Sequence, residues 1–319
     1  MKIKLRPTTL SSPLRYPGGK ALLSAYIAGV IEENYLTGCN FYEPYAGGAS
    51  VSLDLLRLGF ISKSILVEKD PLVYSFWWSA IHAPQELIKG IEACPISIET
   101  WNELQATRLV TDPSFSEYSL LQLGLAGLFF NRTNFSGIIG AGPIGGKNQS
   151  SKYKIDCRFN KKTIISQIES LQSYKDRIEI NFGDAVKFMQ MRSKEISTGF
   201  SFTYIDPPYY LQGPKLYRHS YTDNQHQELA EFIREQGYPW LLSYDDHPRI
   251  RELYSNKRVQ PIYLDYKVKS NRRAQELVIS NLVIPPPVYP ETNSSQVTNA
   301  PSPEKGDQIP SALPDLISK

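Results

Sequence analysis

Four consecutive residues, Asp206-Pro207-Pro208-Tyr209, set a carboxylate, two imino residues and an aromatic ring at a spacing that suits the handling of a planar amino group. The Asp206 carboxylate can accept one N–H of an exocyclic NH2, and the carbonyl of Pro207 can accept the other. Two acceptors draw the nitrogen lone pair out of conjugation with its ring and leave it nucleophilic, while Tyr209 can stack on the face of the heterocycle. The run before them must position them. Ser201-Phe202-Thr203-Tyr204-Ile205 is apolar, β-branched and aromatic, the pattern of a buried strand in a parallel sheet. Neither proline has an N–H for a ladder bond, so the strand stops and Asp206 stands at its carboxyl end, where open α/β sheets bind ligands. Taken alone, the same residues also fit a plain proline turn in which Asp206 only caps the next segment.

Three further stretches bear on that choice. Leu14-Arg15-Tyr16-Pro17-Gly18-Gly19-Lys20 precedes a helix starting at Ala21, and glycines with a lysine at a helix mouth suit an anionic or carboxylate-bearing ligand, or simply a solvated cap. It is not a Walker A loop, because Leu14 stands where the first glycine belongs and Ala21 follows the lysine. Asn40 to Val51 reads as strand, glycine turn and helix, with Glu43 at the strand end and Gly47-Gly48 letting backbone approach a ligand. Ser64 to Asp70 makes a second strand ending in acid, where Glu68 or Asp70 can accept from both hydroxyls of a ribose. Together these describe a nucleoside pocket.

From Pro71 to about Lys175 the alternation of strand and helix stops. Helical patterns cover Leu72–Ile81, Glu86–Ala93, Ile98–Leu109 and Leu120–Phe130, followed by a glycine-rich, basic stretch, and the sheet resumes at Asp176–Asp184. Residues 72–175 are read as an inserted, mainly helical domain. Its loop, Gly140-Ala141-Gly142-Pro143-Ile144-Gly145, matches the dinucleotide pattern G-x-G-x-x-G, which would imply a flavin or nicotinamide oxidoreductase, but lacks the strand before and the helix after it. Nearby Lys152, Lys154 and Arg158 alternate with Tyr153 and Phe159, a pattern that fits either nucleic-acid contact or a solvated face. Beyond the Asp206 stretch come a helix at 222–233, a strand at 240–244, and a hairpin of Ile262–Val268 and Glu276–Ile284 around Arg272 and Arg273. The Pro- and Ser-rich segment 285–319 is expected to be a disordered tail.

Composition narrows the classes. With 41% hydrophobic and 21% charged residues the chain reads as an ordinary soluble protein. No run of about 20 apolar residues offers a membrane span, and the basic N-terminus leads into no secretory signal. Three scattered cysteines and four scattered histidines give neither disulfide framework nor metal site and suit the cytoplasm. The net charge is +3, but residues 286–319 hold four acids and two bases, leaving about +5 on the remainder.

These motifs together resemble the adenine-specific DNA methyltransferases of the DNA adenine methylase (Dam-like) family, over nearly the whole chain before the tail. Leu14 to Lys20, Phe41 to Val51, Gly183-Asp184, Asp206 to Tyr209, Phe130-Asn131-Arg132 and Arg272 to Leu277 are similar to segments of that family. The resemblance implies a Rossmann-like, S-adenosylmethionine-dependent methyltransferase core of residues 1–71 and 176–284, with residues 72–175 as target-recognition domain. It implies catalysis by Asp206, Pro207, Pro208 and Tyr209, and cofactor binding by Tyr16, Lys20, Glu43, Gly47, Gly48, Glu68 or Asp70, Asp184 and Asp206. It further implies contact with double-stranded DNA through Arg15, Asn131, Arg132, Lys152, Lys154, Arg158, Arg272 and Arg273. Methyl transfer would be direct, to an adenine flipped from the duplex. A monomer is expected, with a cognate restriction endonuclease as candidate partner. Ring-carbon cytosine methylation is disfavoured because it needs a thiolate, usually in a Pro-Cys pair, and here the neighbours are reversed as Cys94-Pro95. Methylation of RNA bases or of the cytosine amino group, and a DNA-binding module without activity, remain as alternatives. Where enzymes acting on GATC carry an arginine-bearing hairpin, this chain has Ile138 to Gly146, so GATC is not assumed as its target.

Overall fold

The computed structural model describes residues 10–15, 21–211, 213, 218–265 and 273–286. Seven strands form one sheet: β1 (Cys39–Glu43), β2 (Ile61–Glu68), β3 (Ile178–Phe182), β4 (Ser201–Ile205), β5 (Trp240–Asp245), β6 (Arg258–Asp265) and β7 (Arg273–Ser280). Their order is β3-β2-β1-β4-β5-β7-β6. The first five are parallel, and β7 runs antiparallel to both β5 and β6. Chain order reverses between β1 and β4, which makes that junction the topological switch point and opens a crevice at the strands' carboxyl ends.

The strands read as continuous apolar runs because both faces are covered. All five residues of β4 are buried. One face carries Phe41, Leu66, Phe202, Tyr204 and Leu241 into a core shared with α1 (Ala21–Glu33), α2 (Ser50–Leu58), α3 (Pro71–His82), α4 (Pro84–Ala93), α5 (Ile98–Glu103), α6 (Leu120–Thr133) and α7 (Lys161–Leu171). The other face carries Tyr42, Ile65, Val67, Ile205, Leu242 and Tyr244 against α8 (Ala185–Met191), α9 (Ser193–Thr198), α10 (Asp223–Arg234) and α11 (Pro248–Leu253). Helix α3, at the start of the expected insertion, packs on β2 and β3 as a crossover helix, and α6 packs along it. None of the described helices is long and apolar enough to cross a membrane.

Three elements depart from the sequence reading. The helix expected over 98–109 breaks at Glu103 and continues as a 3-10 helix, Leu104–Leu109. Helix α7 begins inside the stretch read as basic loop: the Asn160 side chain accepts from the Thr163 N–H at 3.1 Å, and Ile164, Ile168 and Leu171 are its buried stripe. The hairpin begins four residues early, because β6 is an edge strand and edge strands tolerate a proline such as Pro261.

Candidate active site

Acidic residues collect where the parallel strands end. Glu43 closes β1, Glu68 closes β2, Asp184 follows β3 and Asp206 follows β4. All four line a single crevice together with Gly47, Gly48, Asp70 and Pro208, and residues 137–139 and 218–221 border it. These expected residues, from separate stretches of the chain, therefore share one crevice, while Pro207 and Tyr209 are not among the residues that line it. Tyr16, Lys20 and Arg272 lie outside the described residues, and Arg273 is the first residue of β7.

Strand β2 and helix α3 hold the glycine turn in shape. Gly47 N–H donates to Glu68 Oε2 at 2.9 Å, Ala46 N–H to the Val67 carbonyl at 3.0 Å, and Trp77 Nε1 to the Gly47 carbonyl at 2.8 Å. Gly47 and Ala49 both adopt positive φ, 47° and 48°. Glu68 Oε1 accepts the Asp70 N–H at 2.8 Å. Burial raises Glu68 to about 7 in spite of these bonds. Asp70 does different work. Its Oδ1 caps α3 by accepting from Leu72 and Val73, and its Oδ2 lies 3.7 Å from Arg218 Nη1. Asp184 caps α8 and pairs with Lys69 at 3.0 Å; burial opposes its charge, but the Lys69 bond and the backbone donors outweigh it and hold the carboxyl below its usual range.

Glu43 is buried beside Asp206. Burial pushes its acid up to about 8, the Ser52 hydroxyl at 2.5 Å works against this, and the Asp206 charge adds to it. Around Asp206-Pro-Pro-Tyr, three anchors come from the far half of the sheet. Ser243 Oγ donates to Asp206 Oδ1 at 2.8 Å, and Tyr209 Oη donates to Glu276 Oε1 at 2.7 Å. Asp245 accepts the N–H groups of Tyr210 and Leu211 at 2.8 and 3.0 Å. Sequence reasoning missed these three as site residues. For Ser243 and Asp245 the available signal was polar residues at the carboxyl end of β5, the signal that exposed Asp206; Glu276 lies on β7.

The residues expected at DNA separate into two groups. Lys152, Lys154 and Arg158 are exposed on a loop pinned by buried Ile155 and Phe159, and Lys154 Nζ donates to the Gln149 carbonyl. Arg15 is half-buried near Arg158; burial first, then the Arg158 charge, lowers its pKa, and its Nη1 has no hydrogen-bond partner. Asn131 and Arg132 face inward. Asn131 is fully buried, accepts the Arg15 N–H at 2.6 Å and donates to the carbonyls of Arg15 and Gly137. Arg132 donates to the Pro13 carbonyl through Nε at 2.7 Å and through Nη2. Burial, with Arg15 second, lowers it to about 10. The Gly140–Gly145 turn follows α6 and a short 3-10 helix, and no helix starts before Lys161, so the dinucleotide-type context is absent there.

The profile of D12 class N6 adenine-specific DNA methyltransferases matches residues 16–270, most of the chain. The chain belongs to this family. It is an adenine-specific DNA methyltransferase, and the crevice at the switch point is its candidate active site. No curated protein matches the sequence of this methyltransferase. Among solved structures, a putative RNA methyltransferase from Pyrococcus horikoshii aligns at TM-score 0.35 and 12% identity, covering 88% of this chain and 90% of its own. The rRNA methyltransferase aviRa from Streptomyces viridochromogenes aligns at 0.36 and 11%, covering 86% and 90%.

Proposed function

We propose that this methyltransferase binds S-adenosylmethionine in the crevice and methylates the exocyclic amino nitrogen of an adenine turned out of double-stranded DNA. The observation that carries the reading is the shared crevice of Glu43, the glycine turn, Glu68, Asp184 and Asp206. Its walls also hold two buried nitrogens that lack a hydrogen-bond partner, Arg218 Nη1 and His219 Nε2. Buried polar nitrogens without a hydrogen-bond partner fit a polar ligand, as an adenosine is. Glu68 is the better candidate for the ribose, since it closes β2 against the glycine turn with a backbone N–H on each oxygen, whereas Asp70 Oδ1 takes two donors from α3 and its Oδ2 faces the Arg218 charge. Gly47 and Gly48 give the backbone approach, and Asp184 lies at the adenine end. When bound, the cofactor supplies an electrophilic methyl group on a sulfonium.

The chain's own part is orientation. Asp206 accepts one amino N–H of the adenine and the Pro207 carbonyl the other, Pro208 stiffens the turn and Tyr209 stacks on the base. Removal of adenine from the stack exposes an amino group that the duplex otherwise hides. Residues 72–175 carry target recognition, with Lys152, Lys154, Arg158 and Arg15 facing phosphates and Arg272 and Arg273 assisting. Asn131 and Arg132 act by fastening residues 13–15 and Gly137 beside the crevice. The enzyme would act as a cytoplasmic monomer, as the modification partner of a restriction endonuclease.

The test is modification-sensitive sequencing of DNA from methylation-deficient cells expressing the wild type or Asp206→Ala. N6-methyladenine in one short motif, lost with Asp206→Ala, is the expected result. A folded wild type that leaves no modified adenine would refute the reading.

A further inference from the structure

We propose that Ser243 is a positioning residue for methyl transfer, fixing the rotation and the charge of the Asp206 carboxylate at the end of a hydrogen-bond chain that starts on Tyr204. This rests on the reading of Asp206 as acceptor of the adenine amino group. Ser243 Oγ lies 2.8 Å from Asp206 Oδ1 and 3.0 Å from the Tyr204 hydroxyl. An ionised carboxylate only accepts, so Ser243 spends its single proton on Asp206. The Ser243 oxygen is then the acceptor for Tyr204, and the chain has one direction: Tyr204 to Ser243 to Asp206.

Both relay residues are fully buried, so the chain is shielded from competing water. Tyr204 is on β4, two residues before Asp206, and Ser243 comes from β5, whose Leu242 pairs with Ile205 in parallel register. The relay is thus strung between two adjacent interior strands of the sheet. Asp206 itself is only partly buried at the crevice, one residue beyond the last ladder position of β4. Its backbone is directed by Pro207, and the Ser243 bond restrains the twist of the carboxylate about its Cβ–Cγ bond. A charge-assisted hydrogen bond from a buried hydroxyl also favours the ionised acid, which is the form able to accept an N–H. Glu43, a neighbouring carboxyl at the same edge, is shifted by burial toward its protonated form.

If Ser243 acts through Asp206, its removal must cost rate and not affinity, and the cost must depend on the carboxylate. In single-turnover assays on the full chain, Ser243→Ala should lower the transfer rate roughly 10- to 100-fold while KM for S-adenosylmethionine and DNA stays within about twofold. Tyr204→Phe, which keeps the ring and removes the donor behind Ser243, should lose a few-fold. In an Asp206→Asn background, where no charge remains to be held, Ser243→Ala should cost less than about threefold. An equal loss in both backgrounds, or a loss confined to KM, would overturn the proposal and leave Ser243 a fold residue. Should Ser243→Ala not fold, Tyr204→Phe carries the same comparison, and an unchanged rate in that variant overturns it. Full activity of Asp206→Asn would instead remove the underlying reading of Asp206, whatever the Ser243 variants do.

Discussion

A tyrosine that offers its face to a base needs its ring held still, and the bond from Tyr209 Oη to buried Glu276 supplies that restraint. Tyr209→Phe keeps the stacking surface and loses the tether, so kcat/KM should fall about 5- to 10-fold, the net worth of one ordinary hydrogen bond. Tyr209→Ala also removes the face and should fall about 100-fold, since base stacking is worth roughly 1–3 kcal/mol. Equal losses in steady-state assays would show that the ring does not stack. Glu43 makes a prediction about pH. Burial raises its folded pKa from 4.5 to about 8, so between those values the folded chain keeps a proton that the unfolded chain has released. The folded state binds more protons, and Glu43 therefore makes stability fall as pH rises through that window. Glu43→Gln removes this titration. Between pH 5 and pH 8, urea unfolding should show the variant gaining on the wild type by roughly 3–4 kcal/mol. A constant difference would mean that Glu43 is ionised in the folded protein.

At the scale of elements, α3 and α6 approach so closely that two glycines face backbone. A methyl on Gly124 would sit 2.6 Å from the Ser75 carbonyl, and one on Gly127 closer still to that of Leu72. Gly124→Ala and Gly127→Ala should each destabilise by about 2–3 kcal/mol, the usual cost of overpacking a close contact. Gly127→Ala should also weaken S-adenosylhomocysteine binding, because Leu72 lies in the first turn of α3, whose cap Asp70 borders the crevice. Loss of stability in calorimetry without loss of affinity would uncouple the two. These elements also mark what a sequence reveals. Strand β4 was legible because it is buried on both faces, and the acids were legible because each ends an apolar run. Helix α7 was hidden by its own start, Lys161-Lys162-Thr163, which reads as part of the basic loop that precedes it. Glu276 was not legible as a partner of the Asp206 turn, because β7 enters between β5 and β6 out of chain order, whereas Ser243 and Asp245 lie at the carboxyl end of β5 and read as ordinary polar residues at a strand end. Asn131 and Arg132 were read as DNA contacts because amide and guanidinium groups suit nucleic acid and backbone fastening equally; their bonds to residues 13–15 and Gly137 support the fastening role.

For the molecule as a whole, a net charge of +3 is too small to define a DNA-binding face, so the placement of the cations must do so. Lys152 and Arg158 are exposed on a loop anchored by Ile155 and Phe159, whereas Arg132 is turned onto the Pro13 carbonyl. The two kinds of cation should respond differently to replacement. A cation that touches a phosphate releases a counterion from the duplex, and log K then falls with log salt at about 0.9 per contact. Lys152→Gln combined with Arg158→Gln should therefore flatten the salt dependence of DNA affinity by about 2, with S-adenosylhomocysteine affinity unchanged. Arg132→Gln should leave the slope alone and lower the melting temperature, because it loosens residues 13–15 beside the crevice rather than meeting DNA. Fluorescence anisotropy across a salt series, read beside thermal melts, separates these outcomes. An unchanged slope in the double variant would move the phosphate contacts off this loop, and a flattened slope in Arg132→Gln would return that residue to the DNA face.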